Sequence, residues 1–406
     1  MMKSGTAQAL QKSRLGDIAD VVNGFGFPEH LQGKTDLPFP FVKVSDMNAP
    51  GSEVVVSSAA NTVDTAILTQ IRGKTYPPGT IVFPKAGGAL LTNKKRILGV
   101  RASFDNNVMG VVPRKANGDW LYYWLLNFDL KTLANTQALH SIRQSDVANL
   151  LLELPPLPEQ RRIAARLREQ LATVAEARAA FQAQLDAAQA LPAAHLRAAF
   201  NTPAARAWPR RHIGDVARVQ SGYAFKSDWF ARTGVRLLRN VNVSQGCISW
   251  DQSARIADER RPEFADYELA VGDIILSLDR PVVSGGLKLA RISEADLPAL
   301  LLQRVGRFQI LRDINPDFLF QFLSTQTFIS AITKHDQSLG VPHVSPKQVE
   351  AVELPVPRLP DQARLAREMA TLSTESSRHR SVIEDCLTAL DHMPAALLRE
   401  AFAGRL

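Results

Sequence analysis

The 406-residue sequence has few of the features that mark secreted or membrane proteins. Its two cysteines, Cys247 and Cys386, cannot build a disulfide framework and favour a reducing compartment. No apolar run approaches the roughly 18 residues that a membrane span requires. Residues 1–17 lack the apolar segment and cleavage site of a secretory signal. We therefore expect a cytoplasmic protein with no membrane partner.

The sequence also lacks the motifs of common enzyme chemistry. Gly33-Lys34-Thr35 and Gly73-Lys74-Thr75 resemble the end of a phosphate-binding loop, but both lack the glycine that this loop requires five residues earlier. There is no Gly-x-Ser-x-Gly elbow, no His-Glu-x-x-His and no closely spaced cysteine pair. The Asn-Pro-Pro-aromatic motif of amino-methyltransferases is absent as well. We expect no catalytic residue, no metal site and no cofactor in this chain.

Basic residues are in excess and are clustered. Lys and Arg number 48 against 40 Asp and Glu, which gives a net charge of +8 and a pI near 9.6. Three windows contain basic residues and no acid, namely Thr65–Phe104, Trp229–Trp250 and Leu301–Arg312. Such clustering favours a polyanionic partner, whereas a uniform excess would predict little. Nucleic acid is the partner that this pattern favours.

The chain contains an internal duplication. Leu154–Gln160 and Val356–Gln362 share a Pro-x-Leu-Pro-acid-Gln pattern at an offset of 202 residues. The same offset aligns Leu191–Phe200 with Met393–Phe402 without a gap. A repeat of this length indicates a duplicated domain with a pseudo-twofold relation, since solenoid repeats are far shorter. Between the repeated segments the two halves have diverged.

Each repeated segment predicts a long helix. Pro158 and Pro360 suit a first helical turn, and we expect Pro192 and Pro394 to end or kink the helices, which gives 34 residues from Pro158 to Leu191. Apolar residues follow a narrow helical stripe, which predicts antiparallel coiled-coil pairing; the alternative is that each helix lies on its own domain. The predicted pairing residues are Leu167, Leu171, Val174, Phe181, Leu185, Leu365, Met369, Leu372, Ile383, Leu387 and Leu390. Arg178 and Arg380 interrupt the stripe; they either set the register or lie just off the seam.

The segments outside the helices predict mixed domains. Gly79–Phe83 and Gly272–Leu276 each indicate a turn followed by a buried strand, and Trp120–Leu126 and Pro316–Leu323 indicate a packed helix late in each half. The predicted fold is α+β, with two tandem globular α/β domains separated by long helices that pair as an antiparallel coiled coil. The predicted boundaries are 1–153 and 206–355 for the domains, and 154–205 and 356–406 for the helical segments.

This layout resembles the specificity subunits of type I restriction–modification enzymes. The resemblance depends on Leu154–Ile163 and its diverged copy at Val356–Leu365, on the opening Leu15–Ala19, and on the turn that begins at Val271. It covers essentially the whole chain. Asp361 stands where the family usually has Glu, and Ala363 follows the Gln of the second block.

The resemblance implies a division of labour. Each α/β domain would be a target-recognition domain that reads one half of a split double-stranded DNA site. The paired helices would serve as a spacer and as the docking surface for two methyltransferase subunits, which motor and nuclease subunits can join in phage defence. S-adenosylmethionine, ATP and Mg would then be bound by those partners and not by this chain.

We expect DNA contacts from Arg, Lys and Asn side chains, because Arg can read guanine and Asn can read adenine. The predicted DNA-binding residues are Lys43, Lys85, Asn93, Lys94, Lys95, Arg96 and Arg101 in the first domain, and Arg236, Arg239, Asn240, Arg280, Lys288 and Arg304 in the second. The run Lys94-Lys95-Arg96 is expected to contact phosphates. Any one of these residues could instead be a solvated surface charge.

Other functions remain open at this point. A coiled-coil adaptor that binds only proteins would not need basic clusters in its variable domains. A single-chain methyltransferase or nuclease would need a cofactor motif that the sequence lacks. The same subunit type could also serve a methylation-only system or another phage-defence system.

Overall fold

The structure is a computed structural model that describes residues 11–134, 140–283, 286–333 and 343–405. The contacts divide the chain into two units. The first unit consists of residues 1–181 and 385–406, and the second consists of residues 182–384. Each unit therefore contains one variable domain together with parts of both long helices.

The first unit is a mixed domain of short strands and helices. Its strands are β1 (Gln11–Arg14), β2 (Ala19–Asn23), β3 (Phe39–Val42), β4 (Val55–Val56), β5 (Thr62–Val63), β6 (Ile81–Pro84), β7 (Arg96–Leu98), β8 (Ser103–Phe104), β9 (Val108–Pro113) and β10 (Leu151–Leu154). Its helices are α1 (Leu15–Ile18), α2 (Thr65–Gln70), α3 (Gly87–Leu90), α4 (Gly118–Asn127), α5 (Gln144–Ala148) and the start of α6 (Leu157–Asn201).

The second unit contains a similar set of elements. Its strands are β11 (Arg210–His212), β12 (Ala217–Ser221), β13 (Phe230–Ala231), β14 (Val235–Leu238), β15 (Ala254–Ile256), β16 (Ile274–Ser277), β17 (Val282–Val283), β18 (Gly286–Leu287), β19 (Leu289–Arg291), β20 (Ala299–Leu301), β21 (Val305–Ile310) and β22 (Glu353–Pro355). Its helices are α7 (Pro203–Arg206), α8 (Ile213–Val216), α9 (Pro316–Leu323), α10 (Gln326–Thr333), α11 (Pro346–Glu350) and most of α12 (Leu359–Phe402). The predicted α+β fold with long helices is confirmed.

The two units share their strand pairing. In the first, the main sheet has the order β2-β9-β6-β7-β4; in the second, it has the order β12-β21-β16-β19. A parallel pair stands beside each main sheet, β3 with β8 and β14 with β20. The first and last strands of each domain also pair, β1 with β10 and β11 with β22. The duplicated openings and endings of the sequence thus form the same small sheet twice.

A buried glutamine joins each domain to its long helix. The Gln160 amide oxygen accepts a hydrogen bond from the backbone N–H of Asn117 at 2.8 Å, and its amide nitrogen donates to the carbonyl of Pro155 at 2.8 Å. Asn117 is also the N-cap of α4, where its side chain accepts from the Trp120 N–H. Gln160 therefore fixes the beginning of α6 against the beginning of α4.

The second copy repeats this arrangement. Gln362, which has no exposed surface, accepts from the backbone N–H of Asn315 at 2.7 Å and donates to the carbonyl of Pro357 at 2.8 Å. Asn315 is the N-cap of α9. The glutamine in each repeated block thus performs the same task in both units.

The long helices run antiparallel within each unit. In the first unit, Leu167 shares an apolar cluster with Leu398, and further along α6 the Nε atom of Arg178 lies 2.7 Å from Oδ1 of Asp391. Because the position on α12 moves back as the position on α6 moves forward, the two segments are antiparallel. Arg178 is half-exposed, so it forms a bridge at the edge of the seam.

The residues predicted to pair lie on the less exposed side of the helices. Their burial is as follows: Leu167, Val174, Leu185, Met369 and Leu387 are buried, and Leu171, Phe181, Leu365, Leu372, Ile383 and Leu390 are half-buried. The role of each one in pairing stays a prediction.

Pro192 and Pro394 were expected to end or kink the helices, and the first of these alternatives is wrong. The helix α6 continues to Asn201 and has 45 residues, and α12 continues to Phe402. Proline has no N–H, so Pro192 leaves the carbonyl of Ala188 without its usual helical partner. The buried hydroxyl of Ser376 donates to that carbonyl at 2.7 Å. A partner from the facing helix thus replaces the lost hydrogen bond.

We expect the substitution Gln160→Ala to lower the free energy of unfolding by about 1–3 kcal/mol, because it leaves buried backbone groups without partners. Urea unfolding of the full chain measures the change. The control is Gln184→Ala, the same substitution at an exposed site on the same helix. Equal stability of the two variants would contradict the role assigned to Gln160.

The pair Ser376 and Pro192 gives a second prediction. Ser376→Ala should lower the free energy of unfolding by about 1 kcal/mol in the wild-type background. In a Pro192→Ala background it should cost less, since the restored N–H of residue 192 can bond to the Ala188 carbonyl. A double-mutant cycle measured by urea unfolding checks this coupling, and strictly additive effects would argue against it.

Candidate nucleic-acid interface

The second unit has an open cleft of about 800 Å³ at one end of its main sheet. The cleft lies where β12 and β16 end and β21 begins, which brings residues from distant parts of the sequence together. The polar side chains that line it include Asn240, Asp279, Arg280, Lys288, Gln303 and Arg304. Four of the six DNA-binding residues predicted for this domain therefore share one cleft.

Two of these cleft residues have an unusual backbone. Arg280 and Arg304 have φ values of +47° and +69°, the left-handed region that non-glycine residues seldom adopt. Arg280 lies shortly after β16, Arg304 lies directly before β21, and both side chains are exposed. The Leu278 N–H bonds to the Arg304 carbonyl at 2.8 Å, which fixes the two turns together. Strained residues held in this way are common at functional sites.

The cleft is positive but contains a carboxylate. Oδ2 of Asp279 lies 3.2 Å from Nη1 of Arg304 and accepts a hydrogen bond from Nδ2 of Asn240 at 3.3 Å. Nζ of Lys288 donates to the Asn240 carbonyl at 3.3 Å. Arg280 adds a further exposed guanidinium. The arrangement presents several hydrogen-bond donors to any polar ligand in the cleft.

The first unit has the same backbone frame at the corresponding place. The backbone N–H of Lys85 donates to the Asn107 carbonyl, just as the N–H of Leu278 donates to the Arg304 carbonyl. Ala86 also forms an isolated β-bridge with Ser141, and Asp279 forms the equivalent bridge with His343. The Lys85 ammonium donates to Oδ1 of Asn23 at 2.9 Å. Partial burial lowers the pKa of Lys85, and the nearby charge of Asp105 opposes this shift.

The strand registers show which residues correspond, and the side chains differ at most of these positions. The pairs are Lys43 with Arg239, Val44 with Asn240, Lys85 with Leu278, Ala86 with Asp279, Gly87 with Arg280, Lys94 with Lys288, and Asn107 with Arg304. The frame is thus common to both units, and the chemistry presented on it is different.

Lys43 and Arg239 occupy matching turns after the parallel strands. The Lys43 N–H bonds to the side chain of Asp46 at 2.7 Å, and the Arg239 N–H bonds to that of Asn242 at 3.0 Å. The Lys43 ammonium also donates to Gln32 at 2.6 Å, and Nη2 of Arg239 donates to the Gln252 carbonyl at 2.6 Å. DNA contact by either residue stays a prediction.

Arg236 is held inside its domain. Its Nη2 donates to the carbonyls of Ala295 and Leu297, both at 2.9 Å, and its guanidinium lies 4.4 Å from the ring centre of Trp250. Burial and the charge of Arg255 lower the pKa of Arg236. A guanidinium with these contacts stabilises its surroundings and has fewer donors left for a base.

Lys95 is fully buried, so the prediction that it contacts phosphate is wrong. Its ammonium donates to Oδ1 of Asn93 at 2.6 Å and to the Phe128 carbonyl at 2.8 Å. The strand register places Lys95 where the second unit has the buried Leu289. In the alternation of a strand that position points inward, which the run of three basic residues did not reveal.

The neighbours of Lys95 differ in their exposure. Asn93 has a φ of +53°, and its side-chain amide forms hydrogen bonds with the backbone of Phe128 and Leu130. The Arg96 guanidinium donates to the carbonyls of Met47 and Lys95. Lys94 is half-buried at the edge of a small cavity that Val44, Pro84 and Gly88 also line, and its ammonium donates to Asn48. Arg101 is exposed. Lys94 therefore lies beside the frame that corresponds to the cleft of the second unit.

The pattern of basic residues in the sequence gave no indication of Asp279. The acid lies between two acid-free windows, and no local motif distinguishes it from other surface acids. Only the turn at the end of β16 brings it against Arg304 and Asn240.

Within residues 11–134, 140–283, 286–333 and 343–405, no three His, Cys, Asp or Glu side chains are grouped so that they could hold a metal ion. None of the helices in this part of the chain combines the length and the apolar character needed to cross a bilayer.

Part of the chain is similar to proteins of one family. Residues 8–177 match the family described as type I restriction modification DNA specificity domain. The chain is 37% identical over 199 residues to the EcoAI type I restriction enzyme specificity subunit of Escherichia coli, covering 49% of this chain and 33% of that protein. It is 25% identical over 254 residues to the MjaVIII specificity subunit of Methanocaldococcus jannaschii, covering 60% of each. These matches span between about a third and 60% of those relatives.

The fold is also found among solved structures. A structure that describes complex assembly and conformational transition of a type I R-M system matches the whole chain with a TM-score of 0.70 at 16% identity, covering 100% of both chains. The HsdS subunit of Thermoanaerobacter tengcongensis matches with a TM-score of 0.63 at 18% identity, covering 98% of this chain and 97% of that one. At these identities the likeness concerns the fold.

Burial of Lys95 predicts a pH dependence of stability. Burial lowers its pKa from 10.5 to about 7, so between these values the folded chain has lost a proton that the unfolded chain still binds. The free energy of unfolding should therefore rise with pH from about 7 to 10, by up to about 1.4 kcal/mol per pH unit from this group.

Urea unfolding at several pH values, compared with Lys95→Leu, isolates the contribution, because other titrating groups cancel in the difference. Leucine is the residue at the matching position of the second unit. A constant difference between the two proteins from pH 7 to 10 would show that Lys95 stays charged in the folded chain.

Proposed function

We propose, from the similarity of this chain to type I restriction–modification specificity subunits, that it belongs to that family and reads a split site in double-stranded DNA. Specificity subunits of these systems are the non-catalytic DNA-recognition components. In our proposal, residues 1–153 and 206–355 are the two target-recognition domains, and each one reads one half of the site. A DNA partner implies that the protein acts in the cytoplasm.

One observation carries this proposal. The two units present different side chains on one backbone frame, as the exchange of Gly87 for Arg280 and of Asn107 for Arg304 illustrates. A protein that bound DNA only through phosphates would have no need for this difference, because phosphates carry no sequence information. Recognition of two different half-sites requires two domains that share a backbone frame but present different side chains.

The predicted DNA-binding residues of the two units divide by the contact that each could make. Arg280 and Arg304 are exposed and carry guanidinium groups suited to the guanine edge, and Asn240 has an amide suited to adenine. Lys94 and Lys288 occupy matching positions and present ammonium groups, which act on phosphates as point charges. We assign the first group to base reading and the second to phosphate contact.

The chemistry of the complex would belong to partner subunits. We propose that the exposed sides of the long helices α6 and α12 recruit two methyltransferase subunits, which supply S-adenosylmethionine. Motor and nuclease subunits would supply ATP hydrolysis, Mg binding and cleavage.

Methylome sequencing tests the function directly. DNA from a host that expresses the methyltransferase encoded with this chain would be compared with and without the chain. We expect a methylated motif in two short parts around a fixed unspecified gap, lost when the chain is removed. Methylation that does not depend on this chain, or that falls at one undivided site, would overturn the proposal.

We expect Lys94→Ala to weaken binding of cognate and unrelated DNA to the same extent and to reduce the salt slope of log Kd by about 1, because one phosphate contact is lost. Fluorescence anisotropy at several salt concentrations measures both effects. The control is Lys115→Ala, an exposed lysine just beyond the opposite end of β9. Loss of cognate binding alone would instead assign a base contact to Lys94.

A further inference from the structure

Asp279 is an acid in a cleft whose other charged side chains include Arg280, Lys288 and Arg304. Its side chain is 12% exposed, and it lies directly beside the exposed Arg280. A carboxylate here repels phosphate and weakens nonspecific attraction to DNA. A cleft that served only to bind phosphates would therefore bind them more tightly without this carboxylate. Its presence needs a reason connected with specificity or with folding.

The contacts of Asp279 restrict Asn240. An Asn amide has two N–H groups and one carbonyl oxygen. One N–H of Asn240 donates to Oδ2 of Asp279 at 3.3 Å, which prevents the amide from exchanging its nitrogen and oxygen. The second N–H and the oxygen are the two groups that a bidentate contact with adenine requires. Asp279 thus selects the orientation of Asn240 before DNA binds.

The same oxygen restricts Arg304. Nη1 of Arg304 lies 3.2 Å from Oδ2 of Asp279, while most of the guanidinium stays exposed. Because Asn240 and Arg304 bond to one atom, their terminal nitrogens lie within two base-pair steps of about 3.4 Å each. The two side chains are therefore placed to reach the same base pair or neighbouring ones.

The first unit lacks this device. At the matching position it has Ala86, and the partners of Asp279 correspond there to Val44 and Asn107. If Asp279 only supported a turn that both units need, the first unit would need an equivalent. The carboxylate belongs to the reader surface of one unit and not to the shared frame.

We infer that Asp279 is a specificity-determining positioning residue, which holds Asn240 to read adenine and Arg304 to read guanine at nearby positions of one half-site. This inference rests on the proposed function. Asp279 acts through these two residues, and its charge repels phosphate from the part of the cleft that reads bases. The ligand class is a major-groove edge that contains adenine and guanine.

The test uses the full chain co-expressed with its methyltransferase. Methylomes would be compared for the wild type, Asp279→Asn and Asp273→Asn. The second variant changes another partly buried Asp–Arg pair of the same domain, with Arg307, outside the cleft. We expect Asp279→Asn to relax the motif at one or two nearby positions of one half, with about 10-fold more methylation of sites altered there. The other half, and the motif of Asp273→Asn, should stay unchanged.

Binding of the purified complex to oligonucleotides gives the deciding measurement if Asp279→Asn methylates poorly. The preference for cognate DNA over DNA altered at one relaxed position should fall about 10-fold. Adding Asn240→Ala should cause no further fall at the adenine position, because Asp279 acts there through Asn240. An unchanged preference at every position would overturn the role of Asp279. A wild-type complex without any split-site preference would instead overturn the proposed function itself.

Discussion

The buried glutamine of each Leu-Pro block is the contact on which the rest of the architecture depends. Gln160 and Gln362 each bond to the backbone of an N-cap asparagine and to a proline carbonyl one turn earlier. These bonds satisfy buried groups that would otherwise cost about 1–3 kcal/mol each, and they fix the direction in which a long helix leaves its domain. The two proline-rich blocks are therefore structural joints.

Because these joints are the same in both units, the side chains of the two domains can differ while the strand order stays the same. The small sheets β1-β10 and β11-β22 close each domain at the same place, and the main sheets keep one strand order from β2 to β7 and from β12 to β19. At the end of the sheet where β6 and β16 stop, the two units keep the same strand register but carry different side chains. In the second unit that end holds the cleft with Arg280 and Arg304, and in our proposal the divergence there changes the DNA sequence that is recognised.

Within the paired helices, a side chain compensates for a proline in the helix interior. Pro192 would leave a helical carbonyl unpaired, and Ser376 on the facing helix supplies the missing donor within the second unit. At the corresponding place in the first unit, the repeat puts Val174, which is buried in the apolar seam. The two copies of the seam are therefore similar in pattern but not in polarity, and they are not interchangeable.

The sequence by itself determined the duplication, the α+β class and the long antiparallel helices, because periodic apolar residues and repeated blocks are local signals. It also pointed to Asn240, Arg280, Lys288 and Arg304 as candidate DNA contacts, although only Asn240 and Arg304 lie in acid-free windows, and the fold alone brings the four into one cleft. Tertiary structure decided the rest. Lys95 is buried because the strand register puts it at a core position, the helices pass Pro192 because a hydroxyl from another segment supplies a donor, and Asp279 gained significance only beside partners distant in sequence. Each of these depends on contacts between residues far apart in the chain, which no local pattern encodes.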